Sequence, residues 1–162
     1  MKSITKISLL LLSITFLTGT SAFAQNRPQT GTIGLSASLQ NNQTNLEIPI
    51  WASRNIVIAP MIGITYQEHN YTSVNIGFAP RFYQYMGNNF ASYVGAQGMI
   101  QQTSPNSGSD ITNVVLGALG GGQYFLSNHF SLGVEGQLNY LFNENGGDIL
   151  STGTAIRGSV YF

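Results

Sequence analysis

From Ser131 to Phe162 the chain reads SLGVEGQLNYLFNENGGDILSTGTAIRGSVYF, and its apolar residues fall on every second position. Leu132, Val134, Leu138, Tyr140 and Phe142 share one face, interrupted by Gly136 alone. Ser131, Gly133, Glu135, Gln137 and Asn139 take the other. After a polar Asn/Gly loop, Leu150, Ile156, Val160 and Phe162 stand opposite Ser151, Gly153, Arg157 and Ser159. Period two is the pattern of strands with one apolar and one polar face. A helix would need the apolar positions three and four apart, so this end of the chain is a strand hairpin.

Scarce charge then decides what the apolar face meets. Met1 to Ala24 has a basic start at Lys2 and Lys6, an apolar run from Leu9 to Leu17, and a small-x-small site at Ala22-Phe23-Ala24. That is the layout of a secretory signal peptide cleaved after Ala24. The remaining residues, 25–162, form one domain with four arginines, six acidic residues and no lysine, a net charge of −2. A water-facing domain of this size carries roughly a quarter to a third charged residues on its surface. These residues cannot supply that. With no basic patch, nucleic acid is excluded as a partner. With no cysteine, disulfides, lipoprotein attachment and thiolate metal sites are excluded too.

No segment after residue 24 reaches about 18 consecutive apolar residues, so a transmembrane helix is not available. The other way to cross a bilayer is a closed barrel, whose strands satisfy each other's backbone groups. Alternation recurs from Thr30 to Gln40, Thr44 to Ser53, Asn55 to Glu68, Ser73 to Met86, Phe90 to Thr103 and Ile111 to Leu126, ahead of the closing hairpin. The expected fold is all-β: an eight-stranded antiparallel up-and-down transmembrane β-barrel behind an N-terminal signal peptide. Connections two, four and six are tight, at Arg54-Asn55, Gly87-Asn88-Asn89 and Ser127-Asn128-His129, as periplasmic turns are. Aromatics near that end (Trp51, Tyr85, Phe90, Tyr93, Phe125, Phe130, Tyr161, Phe162) and near the other (Tyr66, Tyr71, Tyr140, Phe142) suggest two interfacial belts. Pro49, Pro60 and Pro80 each remove a ladder donor and are expected to mark bulges.

The signal peptide, the eight alternating segments, the terminal aromatic and the glycine-dense strand running into QYFLSNHFSLGVEGQLNYLF resemble the small outer-membrane barrels of the OmpA/OmpX type. The resemblance covers essentially all of residues 25–162 and implies localisation in the cell outer membrane of a Gram-negative envelope. It implies outer-membrane lipid, lipopolysaccharide and the barrel-insertion machinery as partners, with Phe162 as the terminal insertion signal. Short outer loops depart from members that act as receptors or adhesins.

Candidate chemistry is thin. His69 and His129 fall at opposite ends of the barrel and cannot share a site. His69 with Ser73 and Glu68 has only a local spacing to suggest a lipid-modifying hydrolase. Gly120-Gly121-Gly122 lacks the Lys-Ser/Thr of a phosphate loop and points to close backbone approach or strong local curvature. Glu68, Asp110, Glu144 and Asp148 at the outer loops have no calcium-loop spacing. The informative residues are Glu47, Arg81, Glu135 and Arg157, all on the polar face and of zero net charge. An eight-stranded barrel is only wide enough for side chains to fill it, so these four are expected to plug the lumen as a polar network. Pairing Phe142 with Leu150 would set Glu135 beside Arg157 on adjacent strands.

The reading is a monomeric outer-membrane barrel with a structural or binding role, no cofactor and no catalytic activity. Its rivals are a narrow channel for small or apolar solutes, a lipid-modifying enzyme, and a soluble periplasmic barrel of lipocalin type.

Overall fold

The computed structural model describes residues 27–40, 43–67, 71–105, 109–143 and 146–162. The expected signal peptide, His69, Glu68 and Glu144 lie outside the described residues, as does the side chain of Tyr66. The strands are β1 (Gly34–Gln40), β2 (Gln43–Glu47), β3 (Ile50–Trp51), β4 (Ile56–Gln67), β5 (Tyr71–Tyr85), β6 (Phe90–Pro105), β7 (Ile111–Ser127), β8 (Phe130–Phe142) and β9 (Ile149–Tyr161). Each pairs antiparallel with its neighbours, β1 pairs with β9, and β2 and β3 both pair with β4. β2 and β3 are one strand interrupted near Pro49, so the closed wall has eight strands, and no helix occurs among the described residues.

Closure fixes the tilt. Hydrogen-bonded partners lead from Ser159 through Ser36, Glu47, Met61, Gly77, Met99, Val115 and Leu141, and return to β9 at Ile149. The circuit comes back 159 − 149 = 10 residues away, a shear of ten. A barrel with stagger of this kind tilts its strands by roughly 35–45°.

Alternation is kept throughout. Ile62, Ile76, Val94, Leu116, Leu138 and Ile156 are exposed on the outer wall, while Asn45, Asn75, Gln97, Gln123 and Ser159 are buried inside. An apolar exterior around a polar interior inverts the layout of a water-soluble domain, as a bilayer requires.

The prolines correct one expectation. None of Pro49, Pro60 and Pro80 shifts the register. Ile58 pairs with Pro80 and Pro60 with Phe78 in the same register as the rest of the β4–β5 ladder. Between β5 and β6, pairing lapses at Ala79 and Pro80 and resumes unchanged at Arg81 opposite Gly95. Around Pro49, the Ile48 amide donates to the Pro60 carbonyl (2.9 Å) and the Gly34 amide to the Pro49 carbonyl (2.9 Å). Each proline forfeits its own donor, but the flanking bonds hold the strands in step. The register shift lies instead between Phe125 and Ser127.

The belts need correcting too. Phe90, Phe130 and Phe162 stand on the outer wall near the tight turns, and Tyr140 and Phe142 near the other end. Trp51, Tyr85, Tyr93, Phe125 and Tyr161 are buried inside the barrel instead, and Tyr71 is half-buried on the inner face. The reason is parity: each lies an even number of residues from a polar, inward neighbour on its own strand, such as Tyr85 from Arg81 and Tyr161 from Arg157.

Candidate functional site: the filled lumen

Glu47 on β2, Arg81 on β5, Glu135 on β8 and Arg157 on β9 come from four separate strands and meet across the lumen. Arg81 Nη1 lies 2.9 Å from Glu47 Oε2 and Arg81 Nε 3.0 Å from Glu135 Oε2. Arg157 Nη2 lies 3.1 Å from Glu47 Oε1 and 2.8 Å from Glu135 Oε2. Each acid thus bridges both arginines, closing a ring of alternating charge. All four residues are 2–3% exposed. Arg81 also donates from Nη2 to Glu47 Oε1 (3.2 Å), so that pair is bidentate.

Two neutral groups complete Glu135. The Tyr93 hydroxyl donates to Oε2 (3.0 Å) and Gln137 Nε2 to Oε1 (2.7 Å). Charges taken out of water are costly unless paired and hydrogen-bonded, and this geometry provides both. The Nε of Arg157 is the one nitrogen of the two guanidinium groups that is buried without an acceptor.

Glu135 and Arg157 do touch, but not by direct pairing. Tyr140, not Phe142, lies opposite Leu150, so Arg157 faces Gly133 and Glu135 faces Ala155. The expected register is wrong by two residues because the turn, of the length supposed, begins and ends one residue earlier, with Leu141 and Ile149 as its last pair. Contact survives because the long Arg157 side chain spans the diagonal, a reach open to long side chains across an antiparallel pair.

Toward the tight turns the lumen is filled by rings. Trp51 and Tyr83 have centroids 4.9 Å apart, as do Tyr83 and Tyr93. Phe125 and Tyr161 lie 6.2 and 6.3 Å from Trp51, and Tyr85 lies 6.0 Å from Phe125. A compact polar set threads this layer. The Tyr83 hydroxyl donates to Gln123 Oε1 (2.5 Å), and Gln123 Nε2 donates to Ser131 Oγ (2.5 Å) and the Tyr161 hydroxyl (2.7 Å). Over the mouth, the Arg27 guanidinium lies 4.2 Å from the Tyr85 ring centre. On the far side of the charged ring, Gln97 Nε2 donates to Asn139 Oδ1 (2.6 Å) and Gln137 Oε1 (3.3 Å).

The glycine run serves this packing. Gly121 faces inward, where a Cβ would meet the Tyr93 ring and the Val134 carbonyl; Gly122 faces outward beneath the Phe90 ring. Here the glycines admit aromatic rings on both sides of one strand. The lumen aromatics were misplaced by composition alone; their parity with Glu47, Arg81, Gln97, Gln123 and Arg157 was the signal that could have found them.

Other candidates are separate from this layer. His129 is exposed in the β7–β8 turn. Asp148 accepts from the Tyr140 hydroxyl (2.8 Å) and the Asn143 amide (3.4 Å), and Asp110 from Gln102 Nε2 (3.4 Å). These two acids pin the strand ends opposite the tight turns. Among the described residues, no three His, Cys, Asp or Glu side chains are grouped to hold a metal.

The fold is that of the small eight-stranded transmembrane barrels. Neisserial surface protein A superposes with a TM-score of 0.64 at 15% identity, over 81% of this chain and 94% of that one. The N-terminal β-barrel domain of Pseudomonas aeruginosa OprF superposes with a TM-score of 0.62 at 12% identity, over 84% of this chain and 100% of that one. No family model and no curated protein matches the sequence.

Proposed function

We propose that this protein is an integral outer-membrane barrel with a structural or binding role and a lumen closed by its own side chains. The observation that carries the reading is the doubly sealed interior: a ring of four ion pairs above a layer of packed aromatics. An ion crossing it would have to displace both layers, and the charged layer is held by bonds to two neutral groups as well. The outer wall, apolar on every strand, supports a bilayer location, and the likeness in fold to Neisserial surface protein A and OprF supports the outer membrane.

On this reading the outer wall meets outer-membrane lipid, and the ends of β5, β6 and β7 reach toward lipopolysaccharide. Phe162 is 79% exposed beside the last strand, where the barrel-insertion machinery would read it. No catalytic role is assigned to any described side chain.

Single-channel recording of refolded protein in a planar bilayer tests the proposal. Wild-type protein is expected to give no sustained conductance steps. Steady steps from wild-type protein would replace this reading with the narrow channel.

A further inference from the structure

The outer wall carries a polar interruption near the end with the tight turns. From the middle of the wall to that end, its outward side chains are apolar or glycine, except Tyr124, whose hydroxyl accepts from Asn89 (3.4 Å), and two others: Gln84 on β5 and Ser92 on β6. They are direct cross-strand partners. Gln84 Oε1 and Ser92 Oγ are both buried and without a hydrogen-bond partner. The Tyr83 amide donates to the Asn55 carbonyl (2.7 Å), which carries the β4–β5 register into the β3–β4 turn; extending it by one residue sets Arg54, at the tip of that turn, toward Gln84. Arg54 is exposed and makes no ion pair among the described residues.

Such a row is costly if nothing meets it. Oxygens without donors at the edge of a hydrocarbon layer lack the water that would satisfy them. Arg54, Gln84 and Ser92 together offer a cation at a turn tip beside an amide and a hydroxyl paired across two strands. Ser92 lies two residues inside Phe90, and Gln84 two residues inside Met86, which places the row at the margin of the apolar wall. Directly toward the middle, Phe82 and Val94 are 53% and 51% exposed and directly paired. A ligand that satisfies the whole surface has an anionic, hydrogen-bonding head joined to apolar chains.

We propose that Arg54, Gln84 and Ser92 hold the phosphodiester headgroup of an inner-leaflet glycerophospholipid, whose acyl chains lie over Phe82 and Val94. Arg54 donates to the phosphate. The short Ser92 side chain and the Gln84 terminal amide turn outward to the glycerol-ester and headgroup atoms. Lipopolysaccharide is the wrong occupant, because on the proposed orientation it lies at the opposite end. Free phosphate is also wrong, since it leaves the apolar half of the surface uncovered. The inference rests on the outer-membrane reading above only in requiring a bilayer.

Native mass spectrometry of the detergent-refolded barrel, titrated with phosphatidylglycerol or with diacylglycerol of the same chains, tests it. The wild type is expected to retain phosphatidylglycerol and not diacylglycerol. Loss of a charge-assisted contact in Arg54→Ala should weaken retention about tenfold. Gln84→Leu combined with Ser92→Ala should also weaken it, while Arg27→Ala, which removes the other cation at this end, should not. Folding of each variant is checked by its shifted gel mobility without boiling. Equal retention by wild type and Arg54→Ala, equal retention of diacylglycerol, or displacement of the lipid by inorganic phosphate would overturn the proposal. A wild-type barrel that fails to enter lipid vesicles overturns the bilayer reading as well; one that enters them but retains no phospholipid overturns this inference alone.

Discussion

Glu135 shows how much one side chain in the lumen carries. It accepts from Arg81, Arg157, Tyr93 and Gln137, so neutralising it leaves two buried guanidinium groups to share the single carboxylate of Glu47. Replacing one member of a buried ion pair costs about 3–5 kcal/mol, because the partner is left charged and unpaired. Glu135→Gln is therefore expected to lower the urea midpoint of the refolded barrel markedly. Arg157→Gln should do the same, and the double variant should cost less than the two single losses together. A double-mutant cycle in urea measures the coupling, and a coupling near zero would mean the two side chains do not act on each other. The polar character of all four charged residues was legible from parity. Their meeting in one ring was not, since residues on β2, β5, β8 and β9 are brought together only by closure.

Among the strands, the register of the closing hairpin is where expectation and structure part. Cysteines at Tyr140 and Leu150, which are paired, should cross-link under mild oxidation, because paired Cα atoms fall within disulfide range. Cysteines at Phe142 and Leu150 should cross-link far more slowly. The reverse ranking on non-reducing gels would restore the other register. Facing is tested by neighbours on β8. Leu138 is 47% exposed on the outer wall, and an arginine toward the middle of a bilayer costs roughly 2–4 kcal/mol. Leu138→Arg should thus cut the folded yield in vesicles sharply, while Asn139→Arg, on the inner face toward the outer mouth, should cut it much less. Periodicity alone told these two faces apart, because side chains alternate strictly along a strand. Register was less legible, since the point at which the turn begins sets it and hydrophobic pattern accepts a slip of two as readily as the correct pairing.

For the molecule as a whole, the seam between β1 and β9 joins the first strand to the last, and the Ser36 and Ser159 hydroxyls meet there inside the lumen at 2.7 Å. A barrel closed in this way should resist dissociation in cold detergent and shift its gel mobility on boiling; identical mobility before and after would contradict closure. From its sequence alone this protein had to be a β structure with an apolar and a polar face. The alternation admits nothing else, and ten charges over residues 25–162 cannot clothe a water-soluble surface. Strand number, the tight turns and the polar quartet of Glu47, Arg81, Glu135 and Arg157 followed from the same pattern. Tertiary structure decided the shear of ten, the step-by-step register through the prolines, and which aromatics line the lumen rather than the interfaces. Those features depend on where a strand comes to lie against its neighbours after the wall closes. Alternation says which way a side chain points, but only closure says what it meets.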